Sequence, residues 1–259
     1  MDEDKVLNVS AVVLFVFTLM FSYVYKLIQP LLTMYSYVKC LTGGFIIGII
    51  LMEVLPDIYP IPGVGGVPAI ATGLSFFALF TLSKLYIERV DAKDQDSIPD
   101  GASQKEALIF ILALSLHSFM EGLGMGNKKG DKLMWYIVSI LVHKWLEAIV
   151  LGASVLTSKL SARTSFILLL VYSSLTSIGA LLGKHLCGDV EGTLLRSILD
   201  GVAAGSFFYI GFVEMVGNEF EMSGGKLTRS TTAKKMLSMF IGYSFITTVI
   251  FAGHLIQAD

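Results

Sequence analysis

Two short motifs in this sequence each place a glutamate four residues after a histidine. LSLHSFMEGLGMG contains His117 and Glu121, and SILVHKWLEAIVLG contains His143 and Glu147. Four residues are about one helical turn, so each motif presents an imidazole and a carboxylate on the same helix face. Two such faces turned toward each other would offer four nitrogen and oxygen ligands. That set suits tetrahedral zinc and also accepts ferrous iron, manganese, cobalt or cadmium.

The composition of the chain indicates where these motifs lie. Of 259 residues, 54% are hydrophobic and only 15% are charged, against about 25% charged residues in an average soluble domain. The formal net charge of -2 gives no basic surface for nucleic acid. We therefore expect a multi-pass integral membrane protein whose partners are the lipid bilayer and metal ions.

Apolar runs of about twenty residues, long enough to cross a bilayer as helices, recur along the whole chain. They predict an all-α fold with eight transmembrane helices in a single domain, residues 1–259. The predicted spans are Val6 to Ile28, Cys40 to Leu55, Val67 to Tyr86, Ala107 to Gly126, Leu133 to Thr157, Ser165 to Gly183, Ile198 to Gly217 and Met236 to Ile256.

The two histidine motifs fall near the middle of the fourth and fifth spans, which only the short link NKKGDK separates. The two helices should therefore be antiparallel neighbours with both motifs near the bilayer midplane. Ionisable residues at that depth are costly and usually line a pathway. The alternative is that they are buried residues paired with a neighbouring helix. Two matched copies favour a metal site made by His117, Glu121, His143 and Glu147.

Lys144 lies between the two positions of the second motif. Its side chain is too short to reach either membrane interface from the midplane, so it should face a polar cavity. Two interpretations stay open. The ammonium supplies positive charge where a second metal ion would otherwise sit, or it forms a structural ion pair with Glu121 or Glu147.

The distribution of Lys and Arg predicts the orientation of the chain, because cytoplasmic loops carry an excess of them. The gaps after helices one, three, five and seven hold twelve, and the other side holds six, so both termini should be non-cytosolic. Glu53, near the end of helix two, then lies toward the outer side, and Glu214, near the end of helix seven, toward the cytosol. These two acids and Asp200, at the start of helix seven, are candidates for a cation path, although carboxylates without a role at the membrane edge are the alternative.

The second and seventh spans share a weak internal similarity. GFIIGIILMEV and GSFFYIGFVEM each place a glutamate nine residues after the first glycine. Because their positions in the order of helices differ by five, an odd number, the two copies would cross the membrane in opposite directions, as inverted transporter repeats do.

Several segments resemble the ZIP (Zrt/Irt-like) divalent metal transporters of the eukaryotic branch. HSFMEG and HKWLEA resemble the paired metal motifs of that family, GGFIIGIILMEVLPD its second helix, and AAGSFFYIGFVEMV its seventh. The resemblance implies two inverted three-helix repeats that enclose helices four and five. It also implies that His117, Glu121 and Glu147 match the primary metal site and His143 the first position of the helix-five motif.

Three positions depart from the pattern of many family members. Lys144 replaces an acid and Ser118 an asparagine used for a second metal, and Thr176 stands where some members have glutamate. We therefore expect one metal ion at the midplane, and we count Ser118, Lys144 and Thr176 among the pathway candidates.

The expected function is transport of a divalent metal ion, zinc first and ferrous iron next, into the cytosol, with no catalysis and no resident cofactor. The plasma membrane is the expected location, with an organelle membrane as the alternative. An intramembrane metalloenzyme and a non-transporting metal receptor stay open as other functions, and a homodimer stays open as an oligomeric state.

Overall fold

The structure, a computed structural model, describes residues 3–24, 26, 35–58, 66–91, 104–186, 194–220 and 228–258. Every regular element in these ranges is helical, and eight helices are long and apolar enough to cross a membrane. The predicted fold class is therefore confirmed. The helices are α1 (Glu3–Val24), α2 (Tyr35–Ile49, continued by Ile50–Val54 and Leu55–Ile58), α3 (Val67–Asp91), α4 (Gln104–Gly126), α5 (Gly130–Thr157), α6 (Ala162–Leu186), α7 (Leu194–Phe208, continued by Tyr209–Gly217 and Asn218–Phe220) and α8 (Arg229–Ala258).

Most helices extend beyond the spans predicted from hydropathy. For example, α4 begins at Gln104 instead of Ala107, and α8 begins at Arg229 instead of Met236. Hydropathy locates only the part of a helix that would lie in hydrocarbon, whereas hydrogen bonding continues the helix into the polar interface. The predicted end of the first span, Ile28, lies outside the described residues.

Two of the helices change from α-helical to π-helical winding. The change covers Ile50–Val54 in α2 and Tyr209–Gly217 in α7. These are the segments whose sequences echo each other, and each contains its glutamate, Glu53 or Glu214. Both glutamates therefore lie where the backbone departs from regular α-helical winding. Short π-helical segments of this kind occur frequently at functional sites.

Close helix contacts hold the bundle together at glycines. A Cβ on Gly122 of α4 would collide with the carbonyl oxygen of Thr176 in α6, and one on Gly152 of α5 with that of Ser22 in α1. Small residues let membrane helices approach this closely. Helix α2 also packs against α8, and α3 against α7. The inverted three-helix repeats stay a prediction.

Candidate metal site

Helices α4 and α5 bring the two histidine motifs face to face. Their link is short, and the contacts run in opposite directions along the two helices: Ser118 meets Lys144, Glu121 meets His143, and the carbonyl oxygen of Glu121 accepts a hydrogen bond from Tyr136. The antiparallel pairing predicted from the sequence is therefore present. Each motif turns its histidine and glutamate toward the other helix.

The four motif side chains form one buried cluster. His117, Glu121 and His143 are each 6% exposed, and Glu147 is fully buried. Oε1 of Glu147 lies 3.7 Å from Nε2 of His117 and 4.0 Å from Nε2 of His143. Oε1 of Glu121 lies 3.9 Å from Nε2 of His117 and accepts a hydrogen bond of 2.6 Å from Nε2 of His143.

These separations are close to those that a metal ion requires. Ligands at about 2.0–2.2 Å from tetrahedral zinc lie roughly 3.3–3.6 Å from one another. Ligand atoms of His117, His143 and Glu147 all lie within 4.8 Å of one another. The 2.6 Å hydrogen bond between Glu121 and His143 is shorter than this spacing and would open when both residues bind the ion. Small side-chain movements would therefore complete a four-ligand site.

Lys144 contacts the side of the cluster away from the facing ligand atoms. Its Nζ donates to Oε2 of Glu121 and to Oγ of Ser118, each at 2.8 Å, and lies 3.5 Å from Oε2 of Glu147. The side chain is 0% exposed. The expectation that it faces a polar cavity is wrong, because two carboxylates, a hydroxyl and the nearby ring of Tyr172 surround the ammonium. Each carboxylate thus has one oxygen toward Lys144 and the other toward the histidines.

Tyr172 of α6 is a member of the site that the sequence did not indicate. Its hydroxyl donates to Oε2 of Glu147 at 3.4 Å, and its ring centre lies 5.6 Å from Nζ of Lys144. Tyr172 is fully buried. It therefore contributes a neutral donor and an aromatic face on the side of Glu147 that faces Lys144.

The imidazole of His117 stacks on Phe207 of α7. The two ring centres are 3.8 Å apart and the planes differ by 13°. Phe207 also meets the ring of His143 nearly edge-on, at 6.0 Å. Neither ring nitrogen of His117 has a hydrogen-bond partner within the part of the chain that the structure describes, so the ring is oriented by stacking on Phe207 and not by a hydrogen bond to these residues.

A cavity of about 280 Å³ connects the cluster with one end of the bundle. His117, Glu121, His143 and Phe207 line its inner end. Toward its mouth it is lined by the end of α2, the link after α4 and the beginning of α7, with Glu53, Ile58, Lys128, Tyr136, Ser139 and Asp200. On the other side of the cluster, buried apolar residues such as Leu114, Leu151 and Ile210 belong to the main core. The cluster thus lies where an open cavity meets packed core.

The pathway candidates divide into three groups in the structure. Ser118 and Lys144 belong to the cluster. Glu53, whose carboxylate accepts a 2.5 Å hydrogen bond from Ser139, and Asp200 line the cavity. The third group, Glu214 and Thr176, lies elsewhere.

Glu214 is buried within the π-helical part of α7, where it accepts hydrogen bonds from Tyr209 and Asn218. Thr176 is buried where α6 packs closely against Gly122. Neither residue is among those that line the cavity.

Comparison with known proteins identifies the class to which this fold and site belong. The model of the ZIP zinc transporter family matches residues 82–250. That range covers more than half of the chain, including both histidine motifs, so the chain belongs to the ZIP family of transporters and the resemblance seen in the sequence is confirmed.

Curated relatives agree with this assignment. Zinc transporter ZIP3 of Homo sapiens is 31% identical over 153 residues, which cover 58% of this chain and 47% of that protein. Zinc transporter ZIP1 of Homo sapiens is 29% identical over 156 residues, covering 59% of this chain and 46% of that protein. Protein zntD of Dictyostelium discoideum is 37% identical over 116 residues, covering 43% of this chain and 17% of that protein. The chain thus spans about half or less of the length of these relatives.

Proposed function

We propose that this protein carries a divalent transition metal ion, zinc first and ferrous iron next, into the cytosol through the site of His117, Glu121, His143 and Glu147. The observation that carries the proposal is the position of this buried cluster at the closed inner end of a cavity. The names of the ZIP3 and ZIP1 relatives support zinc as the first substrate.

The charges of the cluster favour a single ion. Two carboxylates and one ammonium give the cluster a net charge of −1 when both imidazoles are neutral. One bound divalent ion changes this net charge to +1. Because Nζ of Lys144 already contacts Oε2 of both Glu121 and Glu147, a second metal ion beside them would displace or repel this ammonium. Lys144 thus acts as a fixed positive charge in place of a second metal ion, and it also forms an ion pair with Glu121 and Glu147.

The side on which the cavity opens supports transport toward the cytosol. Its mouth lies at the end of α2, the link after α4 and the start of α7, which the distribution of Lys and Arg assigns to the non-cytosolic side. An ion would pass Asp200 and Glu53 and lose its water against the cluster. Release toward the cytosol then requires the packed layer around Leu114 and Ile210 to open, with Glu214 beyond it on the exit side. The plasma membrane is the proposed location.

Metal uptake by purified protein in proteoliposomes tests this function. We expect saturable zinc uptake that competing ferrous iron, manganese and cadmium reduce to different degrees, which ranks the substrates. Zinc binding without flux would indicate a metal receptor instead. Turnover of a lipid or peptide that depends on metal, again without flux, would indicate a metalloenzyme.

A further inference from the structure

The imidazole ring of His117 is oriented by an aromatic contact and not by a hydrogen bond to the described residues. A histidine that binds metal almost always donates its second ring N–H to a carboxylate, a carbonyl or water, which fixes the ring. His117 has no such bond to the described residues, and its nearest carboxylate oxygens lie 3.7 and 3.9 Å from Nε2. The parallel ring of Phe207, at 3.8 Å, is the contact that defines the plane of this imidazole.

We propose that Phe207 is a positioning residue that holds the imidazole of His117 in the plane from which Nε2 points toward Glu147 and Glu121. Phe207 is 1% exposed, so its own ring is fixed by the surrounding core. The inference rests on the proposed function only in taking His117 as a metal ligand.

The location of Phe207 gives this contact a consequence for the whole site. All four ligand candidates belong to α4 and α5, but Phe207 belongs to α7. It lies two residues before the π-helical segment Tyr209–Gly217. The geometry of the site therefore depends on a helix that supplies none of its ligands. A movement of α7 relative to α4 would free the His117 ring and lower the affinity for metal.

Zinc binding to purified protein in detergent, measured by isothermal titration calorimetry, tests the proposal without any transport step. An aromatic pair contributes about 0.5–1.5 kcal/mol beyond burial, so Phe207→Leu should raise the zinc Kd about two- to tenfold. Phe207→Tyr keeps the ring and should restore most of the affinity. Phe208→Leu is the matched control, because Phe208 is the next residue and stacks on Phe212, 5.8 Å away.

A double-mutant cycle with His117→Ala separates positioning from general damage to the fold. If Phe207 acts through His117, then Phe207→Leu adds no further loss of affinity in the His117→Ala background. Equal losses in both backgrounds, or the same loss in Phe208→Leu, would overturn the proposal. Phe207→Met replaces the leucine variant if the latter unfolds, and the cycle is interpreted in the same way.

The two proposals fail in distinguishable ways. Absence of zinc flux with a nonadditive binding cycle contradicts transport and leaves the role of Phe207 supported. Flux that needs His117 combined with an additive cycle leaves transport supported and contradicts the role of Phe207.

Discussion

Replacement of Lys144 by methionine, which keeps the length of the side chain and removes its charge, should destabilise the metal-free protein strongly. Nζ lies 2.8 Å from Glu121 and 3.5 Å from Glu147. At an effective dielectric constant of about 20, these pairs are worth about 6 and about 5 kcal/mol. Desolvation of the buried ammonium offsets much of this gain, and removal of one partner from a buried ion pair typically costs about 3–5 kcal/mol.

The measurable consequence is a change in thermal unfolding in detergent. At about 2–4 °C per kcal/mol for a chain of this size, Lys144→Met should unfold roughly 10 °C below the wild type without metal. Zinc brings positive charge to the same two carboxylates, so it should raise the midpoint of the variant more than that of the wild type.

Lys132→Met is the matched control for this prediction, because Lys132 is an exposed lysine of the same helix. It should unfold within about 2 °C of the wild type, as surface substitutions usually do. If Lys144→Met also unfolds within about 2 °C of the wild type without metal, the assignment of Lys144 as the counter-charge of the carboxylates is refuted.

Two further predictions concern helix packing and the mouth of the cavity. Gly122→Ala places a Cβ against the backbone of α6 and should lower the free energy of unfolding by about 1–3 kcal/mol, measured by thermal unfolding. Gly73→Ala in α3 is the control, because nothing lies within 4 Å of a Cβ there, and it should not destabilise the protein. Equal unfolding midpoints of the two variants would contradict the close packing of α4 against α6. Lys128→Gln removes a positive charge that lines the cavity and should lower the zinc concentration for half-maximal uptake about threefold, by less at high ionic strength. The adjacent exposed Lys129→Gln should have a smaller effect, and equal effects of the two variants would show that Lys128 has no special role at the mouth.

Much of the fold could be predicted from the sequence because the bilayer requires long apolar helices. All eight helices that the hydropathy pattern predicts are present. The change to π-helical winding at Ile50 and Tyr209 could not be foreseen. Hydropathy is the same in both kinds of helix, and the winding depends on contacts with neighbouring helices.

The residues of the site likewise include some that the sequence predicts and others that it does not. His117, Glu121, His143 and Glu147 could be grouped because their spacing is local to two helices joined by a short link. Phe207 and Tyr172 reach the cluster from α7 and α6, and no spacing within their own segments indicates this. The only signal in the α7 segment GSFFYIGFVEM is its run of three aromatic residues, Phe207 to Tyr209, and aromatic residues occur in every transmembrane helix of this chain.

Zinc uptake by site variants in proteoliposomes tests the central claim most directly. His117→Ala and Glu147→Gln should each abolish saturable uptake while the protein stays folded. His185→Ala, which removes an exposed histidine at the end of α6, should transport zinc like the wild type. Uptake at the wild-type rate in His117→Ala and Glu147→Gln would contradict the claim that the metal ion crosses the membrane through this cluster.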